Sequence, residues 1–162
     1  MIEVGILTIS DKGARGERED RSGKVIEEIV KKIEGEVKYY RIIPDEEEII
    51  QDELIKAVDK LHLDLILTTG GTGLGKRDVT PEATLAVIEK EVPGISEIIR
   101  SESFKQTNRA ILSRGVAGIR KKSLIINLPG SPKGVEESLE IILKALPHGI
   151  EIIKGEITEC AR

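Results

Sequence analysis

Hydrophobic positions along this chain change their period several times. Residues 4–9 form a short apolar run, the pattern of a strand buried on both faces. Residues 10–20 are polar, charged and aperiodic, which predicts a loop. From 21 to 34, Val25, Ile26, Ile29, Val30 and Ile33 recur at helical spacing, with charges on the opposite side. A second strand is predicted over 37–43, and a helix over 46–61 carried by Ile49, Ile50, Leu54, Ile55 and Val58. Residues 63–69 predict a third strand, its apolar part broken only by Asp64, and 81–90 a helix. Residues 123–128 predict a further buried strand, followed by a helix over 135–146. Between them, 92–122 read as a short helix at 95–104 and an irregular or edge-strand excursion. Strands alternating with helices imply parallel βαβ units and an α/β sandwich. No repeat or linker interrupts the pattern, so residues 1–162 are expected to form one domain.

The strand over 63–69 runs into Gly70, Gly71, Gly73 and Gly75, which free the backbone to turn and leave its amides unshielded by Cβ atoms. Thr80 suits a helix N-cap, Pro81 the first helical position and Glu82 the positive end of the helix dipole. Bare amides facing a helix N-terminus make an anion site, commonly for phosphate. The stretch satisfies G-x-x-x-x-G-K, but Arg77 stands where a P-loop needs Ser or Thr, and the helix begins too late.

Charge narrows the partners. A net charge of −4 and only three aromatic residues, Tyr39, Tyr40 and Phe104, argue against nucleic-acid binding. No apolar stretch is long enough to span a membrane. The N-terminus opens on strand-like residues without a basic leader, and one cysteine, Cys160, excludes an internal disulfide. These features predict a cytoplasmic protein. Abundant Glu and Lys with an isoleucine-rich core suggest a thermophilic source.

In a parallel sheet the ligand edge is at the strand carboxyl ends. Asp78, between the glycines and the helix, either holds a metal ion against phosphate or braces the loop. Asp45, with Glu48 three residues on, matches a capping box, and its place after a strand also puts it at the ligand edge. Ser10 and Asp11 suit either a contact to phosphate or ribose, or a turn. Asn127, Pro129, Gly130 and Ser131 end the strand over 123–128 on the same edge. Arg77, Ser113 and Arg114 are candidate anion partners. His62 and His148 lack any nucleophile pattern and read as structural, and Cys160 as an incidental thiol.

Several stretches together resemble the MogA/MoaB family of molybdenum cofactor biosynthesis proteins: Thr68-Thr69-Gly70-Gly71-Thr72-Gly73, Arg77-Asp78-Val79-Thr80-Pro81-Glu82-Ala83-Thr84, Ile9-Ser10-Asp11, Ile43-Pro44-Asp45, Ala110-Ile111-Leu112-Ser113-Arg114 and Asn127-Leu128-Pro129-Gly130-Ser131-Pro132. The resemblance spans nearly the whole chain. It implies a three-layer α/β/α sandwich around a mostly parallel sheet, and molybdopterin adenylyltransferase activity with ATP and molybdopterin as substrates and Mg²⁺ as cofactor. Asp45 and Asp78 are then the expected catalytic acids and tentative Mg²⁺ ligands. Ser10, Asp11, Thr69, Gly70, Gly71, Thr72, Gly73, Arg77, Thr80, Glu82, Ser113, Arg114, Asn127, Pro129, Gly130 and Ser131 are the expected substrate contacts. A homotrimer and a transient contact with a molybdate insertase are also implied. The rival readings are another enzyme of the same fold and a non-catalytic molybdopterin carrier.

The chemistry matches the residues. A terminal phosphate with a second pKa near ~6 is largely dianionic at neutral pH, so it attacks without a strong general base. Positioning and charge neutralisation then carry catalysis.

Overall fold

A computed structural model describes residues 1–158, so Cys160 lies outside the described residues. Apolar strands here stack into one six-stranded sheet, in the order β2-β1-β3-β6-β5-β4. Its parallel part comprises β2 (Gly35–Ile43), β1 (Ile2–Ile9), β3 (Leu65–Thr69) and β6 (Ser123–Leu128). Two short strands, β4 (Lys90–Glu91) and β5 (Ala117–Arg120), extend it antiparallel, and β5 pairs with β6.

Side-chain alternation sorts the strand residues between two helical layers. Val4, Ile6, Leu65, Leu67, Leu124, Ile126 and Leu128 pack on one face against α2 (Arg21–Val30), α5 (Pro93–Phe104), α6 (Pro132–Ile142) and α7 (Leu146–Lys154). Leu7, Ile9, Ile66 and Ile125 pack on the other against α3 (Glu47–Ile55) and α4 (Thr80–Val87). The expected three-layer α/β/α sandwich is therefore the fold. Truncating a fully buried core residue such as Leu67→Ala costs about 2–5 kcal/mol.

Element boundaries depart from the hydrophobic pattern where local hydrogen bonding decides. The stretch 10–20 is not all loop: Asp11–Ala14 form a single helical turn, α1, whose N-cap Ser10 accepts from the Gly13 amide. Helix α2 tightens into a 3₁₀ turn after Val30, and Glu34 takes a left-handed conformation at φ 57°, so β2 starts at Gly35. The helix predicted over 46–61 is α-helical only to Ile55, followed by a wider π-type turn over Lys56–Lys60. Asp64 precedes β3 and accepts the Glu3 amide, aligning the two strands. Helix α4 ends at Val87, which leaves Lys90 and Glu91 to pair with β5. The helix predicted over 135–146 is α6 only to Ile142, followed by a 3₁₀ turn over Leu143–Ala145, and a further helix, α7, that the pattern did not predict.

The crossover from β1 leads to β2 on one side, while the chain returns to β3 on the other side of β1. The β1–β3 boundary is thus the sheet's switch point, where loops diverge and leave a crevice.

Candidate active site

A cleft of about 560 Å³ opens at that switch point, on the carboxyl ends of the strands. Its floor is the end of β1, Thr8 to Ser10, and the end of β3, Thr69 with Gly70 and Gly71. Gly70 and Gly71 both take positive φ, 97° and 70°. A Cβ on Gly70 would stand 2.3 Å from the Ile9 carbonyl oxygen, and one on Gly71 would stand 2.2 Å from the Thr80 hydroxyl. Both positions therefore require glycine. Among the described residues the Gly71 amide has no protein acceptor, so it is available to a ligand.

On the α3/α4 side stand Asp45 and Asp78. Asp45 does not cap α3, which has no side-chain cap. Its Oδ2 instead accepts the Asp11 amide at 2.9 Å, while the Asp45 amide donates to Asp11 Oδ1 at 3.0 Å. Burial pushes the Asp45 carboxyl above the usual carboxylate range, and the neighbouring carboxylates of Asp11 and Asp78 add to this against the pull of the Asp11 amide and Arg77. Asp78 Oδ2 accepts the Gly75 amide at 2.8 Å, bracing the tip of the glycine loop. That brace leaves its other oxygen without a protein donor among the described residues, so both roles foreseen for Asp78 are compatible.

The arginines and threonines of the motifs serve a different purpose. Arg77 spans from the glycine loop to Asp11 and Glu46, with bonds of 2.9–3.1 Å. Its hydrogen bond holds the Asp11 carboxyl below the usual range. Arg114 donates to the Gly73 and Asp78 carbonyls and to Glu82, clamping the loop from behind. Thr72 accepts the Arg114 amide through its carbonyl. Thr80 is the first residue of α4 rather than its cap, and its hydroxyl donates to the Gly70 carbonyl at 2.9 Å. Asn127 is buried, with its Oδ1 accepting the Val116 amide and its Nδ2 donating to Thr68 and Thr84. Thr69 donates to the Pro129 carbonyl at 2.6 Å. Ser113 lies beside Gly115.

The cleft wall is therefore made by Ser10, Asp45, Thr69, Gly70, Gly71, Asp78, Gly130 and Ser131 among the sequence candidates. Asp11, Thr72, Gly73, Arg77, Thr80, Glu82, Ser113, Arg114, Asn127 and Pro129 stand behind it as supports. His62 and His148 do not line it.

Sequence reasoning missed the α2 side of the wall: Arg18, Glu19, Asp20, Arg21 and Ser22. Asp20 caps α2 by accepting the Gly23 amide, and it also accepts from the Thr8 hydroxyl at 2.7 Å and the Tyr40 hydroxyl. Burial first, then the hydrogen bond to Asp20, raises the Tyr40 pKa. Ser22 donates to the Gly130 carbonyl at 2.6 Å, tying α2 to the loop before α6. The available signal was Asp20 with Gly23 at capping distance just ahead of the periodic residues.

Asp45 and Asp78 are the acids of the α3/α4 side that a magnesium ion could share with a ligand. No group of three or more acidic, histidine or cysteine side chains among the described residues forms an all-protein cage. One or two carboxylates are the usual protein share of a magnesium site, with ligand phosphates and water completing it.

The free Gly71 amide beside the Asp45 and Asp78 carboxylates, at the switch point of an α/β sheet, is the kind of site that suits a phosphorylated ligand. The profile of the family described as "Probable molybdopterin binding domain" matches residues 5–148, and the chain belongs to that family. It is 47% identical over 156 residues to the molybdopterin adenylyltransferase of Helicobacter pylori (strain ATCC 700392 / 26695), covering 95% of this chain and 89% of that protein. It is 40% identical to the Escherichia coli K12 molybdopterin adenylyltransferase, covering 99% and 89%. Among solved structures, the molybdopterin biosynthesis enzyme MoaB of Thermus thermophilus superposes with a TM-score of 0.91 at 51% identity, covering 96% and 98%. The tungsten cofactor synthesizing protein MoaB of Pyrococcus furiosus superposes at 0.87 with 36% identity, covering 95% and 98%.

Proposed function

We propose that this protein is a molybdopterin adenylyltransferase, in which residues 1–162 act as one catalytic domain. It transfers AMP from ATP to the terminal phosphate of molybdopterin and releases pyrophosphate. The observation that carries this reading is the placing of Asp45 and Asp78 beside the unpaired Gly71 amide in one cleft, in a chain of this family. The phosphate oxygen of molybdopterin forms a bond to the α-phosphorus of ATP as the bond to the β-phosphate oxygen breaks. The leaving pyrophosphate takes the electron pair.

The protein's own share is positioning and charge balance. Gly70 and Gly71 let phosphate approach the backbone, and Asp45 and Asp78 would hold Mg²⁺, which supplies positive charge to the phosphates when bound. Arg77 fixes Asp11, and Asp11 fixes Asp45, so the acid at the reacting end is oriented by two shells of hydrogen bonds. A homotrimer is the proposed assembly, supported by exposed Ile98 and Phe104 on α5 and Ile111 and Leu112 in the turn that packs on it. A molybdate insertase would then consume the product.

Single-turnover AMP transfer with ATP, molybdopterin and Mg²⁺ tests the reading. Wild type forms adenylylated molybdopterin, and Asp78→Asn lowers the rate by at least about 10²-fold. Tight molybdopterin binding without transfer would instead mean a carrier.

A further inference from the structure

The cleft is polarised across the sheet edge. Asp45 and Asp78 lie on the α3/α4 side, while Arg18 and Arg21 lie on the α2/α6 side. The motif arginines are already committed: Arg77 to Asp11 and Glu46, Arg114 to Glu82 and two carbonyls. Arg18 and Arg21 are exposed in the cleft wall and make no ion pair among the described residues. We infer that Arg18 and Arg21 seat the phosphate monoester of the acceptor substrate, leaving the Asp45 and Asp78 side to the nucleotide. This assignment rests on the adenylyl-transfer reading.

Charge sorting is the physical argument. A nucleotide triphosphate enters as a magnesium complex, and paired carboxylates attract its metal. A phosphate monoester without metal is repelled by the same carboxylates and is drawn to guanidiniums, which grip its oxygens through forked N–H pairs. The two acids of the α2 wall do not cancel this attraction equally. Asp20 keeps its charge but turns both oxygens to the Gly23 amide and the Thr8 and Tyr40 hydroxyls, which spreads that charge away from the cleft. Glu19 has no such partners among the described residues and is the more exposed opposing charge.

The scaffold holds this side rigidly. Ser22, next to Arg21, is bonded to the Gly130 carbonyl, so the starts of α2 (ten residues) and α6 (eleven residues) move together. Their positive ends favour anions on the same side. With acceptor phosphate on this side and nucleotide on the other, attack and departure fall on opposite sides of the α-phosphorus, as in-line transfer needs.

Calorimetric titration with inorganic phosphate tests the seat without turnover. Both arginines are exposed, so Arg18→Gln and Arg21→Gln keep the fold, and Lys144→Gln, exposed and away from the cleft, is the control. The expected result is phosphate binding weakened about tenfold by each cleft variant, unchanged by the control and tightened by Glu19→Gln. In steady-state AMP transfer, Arg21→Gln should raise the KM for molybdopterin about tenfold while the KM for ATP moves less than about twofold. Equal phosphate affinity in all variants, no phosphate binding by wild type, or a KM rise confined to ATP would overturn the assignment. If wild type transfers no AMP, the function proposed above fails, and the phosphate titration still decides the role of the arginines.

Discussion

Asp11 and Asp45 hold each other by reciprocal hydrogen bonds, each backbone amide donating to the other's carboxylate at 2.9 and 3.0 Å. The pair joins the end of β1 to the end of β2, and Arg77 brings the glycine loop onto the same node. Three loops that diverge at the switch point are thereby locked together, with one carboxylate oxygen of Asp45 still available to the cleft.

Asp45→Ala should leave the Asp11 amide without its acceptor and cost about 1–3 kcal/mol of stability. Asp45→Asn keeps an oxygen in place, so its stability should stay near wild type while AMP transfer falls at least about 10²-fold. Urea denaturation and single-turnover rates measured on the two variants separate the structural part from the chemical part.

The pH dependence of stability should carry opposite signatures from the two partners. Burial raises the Asp45 pKa, so folding binds its proton, and stability is lost as pH rises from the ordinary value near ~3.9 through the raised one. Arg77 lowers the Asp11 pKa, so its contribution is present above the ordinary value and is lost as pH falls through the lowered one. Denaturation curves across acid pH should show Asp45→Asn gaining on wild type with rising pH. Asp11→Asn should lose ground over the lower window.

Gly70→Ala should be among the most damaging single changes in the cleft. The backbone is at φ 97°, and the new Cβ would meet the Ile9 carbonyl at 2.3 Å. Backbone strain alone costs about 1–3 kcal/mol, and the displaced loop should lose phosphate binding. In contrast, a Cβ on Gly130 would lie 3.5 Å from the Gly70 Cα, an ordinary contact, so Gly130→Ala should melt near wild type. Thermal melts of both variants check the contrast.

Asn127→Ala should act on stability rather than on substrate affinity. It removes partners from the Val116 amide and from the Thr68 and Thr84 hydroxyls in a buried setting, at a cost of about 2–3 kcal/mol. A variant that folds stably but shows a raised KM for either substrate would assign Asn127 to ligand binding instead.

Much of the architecture was legible from local pattern. The apolar runs at β1, β3 and β6 and the helical spacing of α2 and α3 report burial, and burial sets the two layers of helices. The glycines at 70 and 71 announced a turn that tolerates no side chain, and the structure supplies the reasons as the Ile9 carbonyl and the Thr80 hydroxyl. Asp45 and Asp78 were identifiable as edge residues because each follows a strand.

What the residues around them do depended on contacts between segments far apart in sequence. Arg77, Arg114 and Asn127 look like ligand residues in a linear motif, yet their partners come from 11 to 66 positions away and consume their donors internally. Arg18 and Arg21 look like ordinary surface charge, yet the crossover of α2 brings them to the cleft. Sequence alone determined the sandwich, the glycine turn and the acidic pair, because periodicity, φ restrictions and strand-end position are local properties. Only the tertiary structure decided which charges are spent and which are available, because a hydrogen bond is won by whichever partner folding brings within about 3 Å.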